Sequence, residues 1–473
     1  MKSSTIFHIA FVLGTLVGTT SCESFLDREP TMTISNNEIT KDLEGLNFAV
    51  VGDYSNIMDT YGSALIAYSE SRSGNLQMAK SATSALVKDI TPSYEFSNLY
   101  DDEDDAVMFF YENFYKIINQ ANDIIEACKT RTYANTKLRD QYYGEALFMR
   151  ALSHFNLCNL YAQPYSYSKI GSHQSIVMMD KKIPVLDYPV RSKLYVVYDL
   201  IISDLKKADT LLTNNSRTTG IKQAWISQAA VQALLARVLL YKGDYKNAYY
   251  YSNKVIADYG YSLVPNKDYL GAWSSTVPNQ EDIWIIDFTA KTTRTVSTYY
   301  GVPDVEKTVA CSVSKDLYSL YENDDVRKSL IIPFPGDARD TVTIKFKSIG
   351  LKERYIPAIR LSEMYLTRAE AAAELSDVIT ARNDLNTIRQ RANVNATPIY
   401  PSGQALIDAI MLERRKELAF EGHTYYDFIR KGKGITRTYF NGINNKDVPF
   451  PSDKLILPFP KNAVERNPNL NSK

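Results

Sequence analysis

Carboxylate and basic side chains are concentrated in one stretch near the C-terminus, residues 413–430. Glu417, Glu421 and Asp427 could supply the acid and base of a glycosidase, because that reaction needs two carboxyl groups at a set separation. However, Glu413, Glu417 and Glu421 recur at every fourth residue beside basic neighbours, a spacing typical of helix ion pairs and buried bridges. We therefore interpret these carboxylates as structural and predict that the protein is not an enzyme. The same interpretation applies to Glu145, Arg150 and Glu370.

A run of five acidic residues, 101–105, stands just before a predicted helix. Carboxylate oxygens suit Ca²⁺, which makes Asp101, Asp102 and Asp104 candidate ligands, although their spacing matches no EF-hand loop. Acidic residues are also favoured at a solvated helix start by the helix dipole, and both interpretations stay open. No other cofactor is predicted, because no pair of histidines has zinc spacing and no phosphate-binding loop is present.

The N-terminus has the pattern of an export signal that ends at a cysteine. Lys2 precedes a nearly unbroken apolar run over residues 6–18, and Cys22 stands where cleavage is expected. The run is too short to span a bilayer. The pattern predicts a signal peptide over residues 1–21 and a lipid on Cys22, followed by a tether over residues 22–40. Because the usual upstream leucine is missing, ordinary secretion is the alternative.

Composition limits the classes of function. The 473 residues include 54 basic and 54 acidic side chains, so the formal net charge is zero. A nucleic-acid partner is not expected, because neutralising phosphates requires a clustered basic excess. Apart from the cysteine at position 22, only Cys128, Cys158 and Cys311 are present, too scattered for a disulfide framework. No later apolar run is long enough to cross a bilayer as a helix.

Apolar periodicity predicts a mainly α-helical single domain over residues 41–473. Two irregular insertions are expected, over about 62–105 and 264–356, the second with strands near 283–288 and 341–346. Irregular insertions on a rigid scaffold often carry binding sites. The helical patterns fall within about 43–60, 106–161, 194–258 and 359–420.

A weak internal repeat lies among the helices. One set of residues has the spacing of a tetratricopeptide helix pair, with small residues at the contact and a turn between the helices. The same offsets recur 133 residues later. The two sets are Ala236, Leu239, Gly243, Tyr245 and Ala248, and Ala369, Ala372, Ser376, Val378 and Ala381.

Several motifs, in this order along the chain, resemble the SusD/RagB family of Bacteroidetes surface lipoproteins. Residues 22–30 (CESFLDREP) are similar to the family start, a lipidated cysteine followed by an FLD…P stretch. Residues 145–161 are similar to its EAxxxRAxxxFxLxxxY helix, and residues 360–370 (RLSEMYLTRAE) to its RLxExYLxxAE helix. The most specific block is ERRKELAFEG at 413–422. Shorter matches are 183–185, 204–208, 385–392, 427, 430, 458–460 and 467–470.

The resemblance covers almost the whole chain and implies a SusD-like scaffold of tetratricopeptide-type helix pairs. It also implies a non-catalytic receptor at the outer membrane, anchored by lipid and facing the cell exterior. Such a receptor would sit as a lid on a SusC-like TonB-dependent barrel and pass oligosaccharides into it. The alternative is a peptide-binding or purely structural lid, since tetratricopeptide surfaces often bind peptides.

The resemblance places the glycan site in the two irregular regions. Sugar rings present C–H faces to aromatic rings and hydroxyls to amide and charged side chains. The loop before Ala106, the long insertion and a stretch resembling the family's polar contact segment offer such groups, although local loop packing is the alternative. Trp284 alternates with isoleucines and is expected in a strand core. The candidates are Arg72, Asn75, Tyr94, Phe96, Asn98, Tyr100, Trp273, Tyr299 and Tyr300.

Overall fold

The structure is a computed structural model that describes most of the chain. The predicted signal peptide, Cys22 and most of the predicted tether lie outside the described residues. No helix in the described part is long and apolar enough to cross a membrane. The described residues are 36–82, 84–98, 105–184, 187–213, 217, 219–287, 296–302, 308–347, 354–437 and 446–471.

The fold is mainly α-helical, as the sequence predicted. A π-helical turn, Tyr61–Leu65, joins the second and third helices. The α-helices are α1 (Asn36–Ile39), α2 (Leu43–Thr60), α3 (Ile66–Arg72), α4 (Ser84–Glu95), α5 (Asp105–Thr130), α6 (Thr136–Tyr161), α7 (Leu194–Leu211), α8 (Gln228–Lys242), α9 (Tyr245–Asp258), α10 (Tyr269–Trp273), α11 (Val296–Tyr300), α12 (Lys315–Tyr318), α13 (Leu361–Glu374), α14 (Val378–Ala392), α15 (Gly403–Glu417), α16 (Thr424–Arg430) and α17 (Lys461–Arg466).

The main apolar core lies along α2 and α5–α9. Helix α6 packs between α5 and α7 and is buried on nearly all sides over its second half. Phe110, Phe114 and Ile117 form the apolar side of α5 and are fully buried. Trp284 is also buried, with its ring edge-on to Phe148 at a centroid distance of 5.1 Å, which confirms its predicted place in a strand core.

Helix pairs α8–α9 and α13–α14 share one turn geometry, which confirms the repeat seen in the sequence. Gly243 and Ser376 occupy equivalent positions, and both have a positive φ, +79° and +66°. The next residue, Asp244 or Asp377, donates its amide to the carbonyl five residues earlier at 2.9 and 2.8 Å. The side chain of the same aspartate then caps the second helix of the pair. The common offsets therefore encode a common turn.

Replacing Gly243 with alanine is expected to destabilise the protein by about 1–2 kcal/mol, because a Cβ disfavours this left-handed conformation. No atom lies within 4 Å of the added Cβ, so backbone strain is the only cost. Gly271→Ala, inside α10 with equally open space and an ordinary φ, is the matched control and should be neutral or stabilising. Urea unfolding measures both. Equal midpoints for the two variants would contradict the prediction.

The described strands form four two-stranded antiparallel sheets. The first sheet ties the region after α3 to the long insertion, with Leu76 opposite Val313. The pairs are β1 (Leu76–Met78) with β3 (Cys311–Val313), β2 (Asp282–Ile286) with β6 (Ile356–Arg360), β4 (Ile331–Phe334) with β5 (Asp337–Thr343), and β7 (Ile435–Thr436) with β8 (Asp447–Val448).

The prediction that residues 62–105 are irregular is wrong for α3 and α4. Polar composition suggested a loop, but the serines of this region bury their hydroxyls by bonding to the preceding helical turn. Ser71 Oγ donates to the carbonyl of Tyr68 at 2.9 Å, and Ser73 Oγ donates to that of Glu70 at 2.7 Å. The strand predicted near 341–346 ends earlier, at Thr343, and continues as a 3₁₀ turn.

Candidate functional site

An open cleft of about 810 Å³ lies where the C-terminal end of α6 meets the last part of the chain. We call it the main cleft. Leu457 N donates to the carbonyl of Leu160 at 2.7 Å and so fixes the C-terminal segment beside α6. The residues lining the main cleft are Phe96, Asn98, Tyr161, Ala162, Gln163, Tyr167, His173, Gln174, Arg191, Asp453, Lys454 and residues 456–459.

Aromatic rings form one wall of the main cleft. The Phe459 ring stacks on Tyr161 with centroids 5.8 Å apart and an angle of 12° between the planes. The guanidinium of Arg191 lies 4.9 Å from the Phe459 centroid, and its Nε donates to the carbonyl of Ser175 at 2.7 Å. This wall therefore places a flat apolar face beside a fixed cation, an arrangement suited to a ligand with both apolar and polar surfaces.

Tyr167 offers the most exposed aromatic surface of the main cleft, with 45% of the residue accessible. Its ring lies edge-on to His173 at 5.0 Å. His173 Nε2 donates to the carbonyl of Gln163 at 2.9 Å, and Nδ1 accepts from Ser168 Oγ at 2.8 Å. Burial lowers the pKa of His173 below its ordinary value, so the ring is neutral at pH 7. The histidine thus holds the tyrosine in place without adding charge.

Arg72 lies behind three residues that line the main cleft: Phe96, Asn98 and Lys454. Its guanidinium lies 4.2 Å from the Phe96 centroid, and Nη1 donates to Asn98 Oδ1 at 3.0 Å. Nη2 donates to the carbonyl of Lys454. Only 1% of Arg72 is accessible, so it joins the loop after α4 to the C-terminal segment rather than reaching into the cleft.

Two amide oxygens in the cleft wall have no hydrogen-bond partner among the described residues: Gln163 Oε1 and Gln174 Oε1. The Gln163 amide is oriented by its Nε2, which donates to the carbonyl of Ser452 at 3.0 Å. An unpaired buried acceptor costs about 1–3 kcal/mol, and a donor that reaches it recovers that cost. A ligand rich in hydroxyl groups matches this wall.

Comparisons with known proteins agree with the fold. Residues 338–473 match the model of the SusD family, and residues 24–240 match a family model described as "Starch-binding associating with outer membrane". The chain belongs to the SusD/RagB family. This confirms the resemblance found in the ordered motifs.

Several relatives of this SusD/RagB family member match over nearly their full length. SusD-like protein P38 of Formosa agariphila is 24% identical, with 95% of each chain covered. A SusD superfamily protein of Bacteroides thetaiotaomicron has a TM-score of 0.82 at 26% identity, covering 91% of this chain and 99% of its own. Surface glycan-binding protein A of the same species, solved with laminarihexaose, has a TM-score of 0.72 at 18% identity, covering 89% and 97%. These likenesses confirm the predicted fold class.

The structure brings three of the predicted glycan contacts of this SusD/RagB family member together. Phe96 and Asn98 line the main cleft, with Arg72 behind them. Tyr100 and the calcium candidates Asp101, Asp102 and Asp104 lie outside the described residues, so both proposals for them stay predictions. In the described part of the chain, no cluster of three or more histidine, cysteine or acidic residues could hold a metal ion.

The other five predicted contacts lie in the interior, which corrects the expectation that they form an accessible surface. Asn75 donates to Glu70 and Thr424 at 3.0 Å each. Tyr94 lies against the Arg437 guanidinium at 4.3 Å. These residues pack because the insertions build small cores of their own, in which Trp273 joins Tyr269 and Leu330. The five are Asn75, Tyr94, Trp273, Tyr299 and Tyr300, all at most 6% accessible.

Sequence reasoning predicted no site residue in the segment between α6 and α7. Gln163, Tyr167, His173, Gln174 and Arg191 all come from it. The usable signal was composition, because this stretch mixes proline, glycine, serine and tyrosine between two strong helical patterns. Phe459, between two prolines, was noted only as part of a family motif.

The carboxylates of the 413–430 block are buried in ion pairs, which confirms their structural interpretation. Glu417 accepts from Arg360 Nη1 at 2.7 Å, Arg391 Nη2 at 2.5 Å and Arg327 Nη1 at 3.0 Å. Burial alone would raise the pKa of Glu417, but these guanidinium groups hold it well below its ordinary value. The three arginine partners of Glu417 come from other elements rather than from its own helix. Lys345 likewise donates to Glu421 at 2.7 Å.

The remaining carboxylates and bases singled out in the sequence also lie in buried bridges. Burial opposes ionisation of Asp427, but Arg414 and Arg430 lower its pKa to about 2. The other bridges join Glu145 to Arg217 at 2.5 Å, Arg150 to Asp204 at 2.7 Å, and Glu370 to Arg430 at 2.6 Å.

Proposed function

We propose that this protein is a glycan-binding lipoprotein on the cell surface, which holds an oligosaccharide in the main cleft without cleaving it. The main cleft carries the proposal, because it combines aromatic faces with amide oxygens and the fixed cation of Arg191. Membership of a family with starch-binding and outer-membrane associations supports it, as does the fold shared with a protein solved with laminarihexaose.

Binding without chemistry fits the charges of the main cleft. Among the described residues that line it, Asp453 is the only carboxylate. Hydrolysis of a glycosidic bond by the usual route needs two, one on each side of the bond. The clustered carboxylates elsewhere are held ionised by arginines and are not exposed to a ligand.

The proposed place of action is the outer membrane, facing outwards, with the lipid on Cys22 as anchor. The proposed partner is a SusC-like TonB-dependent barrel that receives the oligosaccharide. Several modest contacts in an open cleft would raise the local concentration of ligand and still release it. Co-purification with a barrel protein from solubilised outer membranes tests the partnership. A soluble mature form without acyl chains would contradict the anchor.

Replacing Tyr167 with alanine is expected to weaken oligosaccharide binding about tenfold, roughly 1.4 kcal/mol, because it removes the exposed stacking face of the main cleft. Titration calorimetry measures the affinity, using panels of oligosaccharides and peptides with and without calcium. Tyr400→Ala, on an exposed tyrosine outside the cleft, is the matched control and should bind as the unmodified protein does.

The same panels decide between the candidate functions. Heat of binding to peptides alone would overturn the glycan proposal in favour of a peptide-binding lid. New reducing ends appearing over time with purified protein would overturn the non-catalytic part.

A further inference from the structure

A second, shallower recess of about 450 Å³ lies between α5 and α17. We call it the side recess. One wall is a face of the long helix α5, and the other is the short helix α17. Helix α17 directly follows the C-terminal segment that lines the main cleft. The residues lining it are Tyr111, Glu112, Tyr115, Lys116, Asn119, Asn462, Ala463 and Arg466.

The side recess adjoins the main cleft. Tyr111 lines the recess, and its ring centroid lies 6.1 Å from that of Phe459 and 5.6 Å from that of Tyr161, both of which line the main cleft. Helix α17 begins two residues after Phe459. A single aromatic cluster therefore separates the two spaces, and an extended ligand that leaves the main cleft over Phe459 reaches the side recess.

Four polar side chains of the side recess are not engaged, whereas Tyr115 and Asn462 bond to Val177 and Met108. Glu112, Lys116, Asn119 and Arg466 are exposed, and none makes a side-chain hydrogen bond or ion pair with a described residue. The buried arginines differ from these exposed side chains, because each has a carboxylate or carbonyl partner. Arg360, for example, donates to both the carboxylate and the carbonyl of Glu417. Two cations and one carboxylate thus face an open space with a net positive charge.

No neighbouring carboxyl group among the described residues forms an ion pair with Lys116. Asp53 on α2 is buried with both carboxyl oxygens unpaired, and burial raises its pKa well above the ordinary value, which favours the neutral acid. Asp123, about two turns further along α5, pairs with Lys182 at 2.6 Å. The ammonium of Lys116 is therefore available to an anionic group from outside.

We infer that the side recess is a subsite for an anionic substituent of a saccharide that extends from the main cleft. The substituent is a carboxylate of a uronic acid or a sulfate ester, bound by charge-assisted hydrogen bonds from Lys116 and Arg466. Asn119 and Glu112 would take neighbouring hydroxyl groups, and Tyr111 would contact the ring between the two spaces. The inference rests on the proposed glycan function and adds the class of glycan.

The test uses ligands that differ only in charge. One arm compares oligogalacturonate with its methyl ester, and the other compares a sulfated galactan oligosaccharide with its desulfated form. The full chain is titrated alongside the double variant Lys116→Gln, Arg466→Gln. Lys206→Gln, Lys207→Gln is the control, since it removes the same charge from an exposed part of α7.

The recess variant should bind the anionic ligand of at least one arm at least tenfold more weakly than the unmodified protein does. Its affinity for the neutral form should change less than threefold, and so should the affinity of the control variant for every ligand. The arm that responds distinguishes carboxylate from sulfate. Ligand should also protect Lys116, but not Lys206, from acylation detected by mass spectrometry. Equal binding by the recess variant, or binding of neutral ligands alone, would overturn the subsite and leave the proposed function standing. No binding of any saccharide would overturn both.

Discussion

Replacing Glu417 with glutamine is expected to lower the free energy of unfolding by about 3–5 kcal/mol, the largest effect anticipated for any single substitution here. Glutamine keeps the shape of the side chain but removes the negative charge that Arg360, Arg391 and Arg327 share. Those guanidinium groups are buried and cannot turn to water, so the loss leaves the cluster one negative charge short, with only Glu281, Glu421, Asp325 and Glu413 among the described residues still paired to them. Thermal melts and urea unfolding measure the change.

Glu126→Gln is the matched control, because Glu126 is exposed on α5 and its loss should change stability by less than about 0.5 kcal/mol. The pKa of Glu417 lies below its ordinary value in the fold, so its stabilisation is present above pH 4.5 and is lost as the pH falls. The difference in the free energy of unfolding between Glu417→Gln and the unmodified protein should therefore become smaller at acid pH. Identical melting of Glu417→Gln and Glu126→Gln at neutral pH would show that the buried charges do not act together.

The buried charge network shows what local spacing can and cannot predict. Carboxylates four residues apart, set among basic residues, correctly indicated buried bridges. Their partners could not be named, because Arg360 ends a strand, Arg391 lies in the last turn of α14, and Arg327 lies in a 3₁₀ turn of the long insertion. Ion pairs between such distant segments are determined by tertiary packing, and residue spacing along the sequence does not predict them.

The main cleft was harder to predict for a related reason. Aromatic residues in irregular segments were taken as exposed, yet Trp273 and Tyr300 lie in the interior. Tyrosine and tryptophan suit both packing and ligand contact, so residue type alone does not separate the two roles. The cleft forms where residues near 161–191 pack against residues near 453–459. No local sequence pattern predicts a contact between segments so far apart in the chain. The long helices and the repeated turn, by contrast, depend on neighbours along the chain and were predicted correctly.

Asp53 is a buried carboxyl that the fold tolerates at a cost, and replacing it with asparagine is expected to stabilise the protein by about 1–3 kcal/mol at pH 7. In the fold, burial raises the pKa of Asp53 well above 3.8, whereas the unfolded chain ionises at the ordinary value. Below that value both states are protonated and no penalty exists. As the pH rises above 3.8 the unfolded state gains from ionisation, so the unmodified protein loses stability relative to Asp53→Asn.

Urea unfolding at several pH values therefore measures two quantities. One is the difference in the free energy of unfolding between Asp53→Asn and the unmodified protein, and the other is the change of that difference with pH. The advantage of Asp53→Asn should be small near pH 4 and grow towards pH 7. Asp268→Asn, at an exposed aspartate whose side chain caps no helix, should show neither the gain nor the pH dependence. An advantage that stays constant with pH would mean that Asp53 is ionised in the fold, with Lys116 as its partner across the α2–α5 contact. The ammonium of Lys116 would then be less available to an anionic ligand in the side recess, so this measurement also bears on that site.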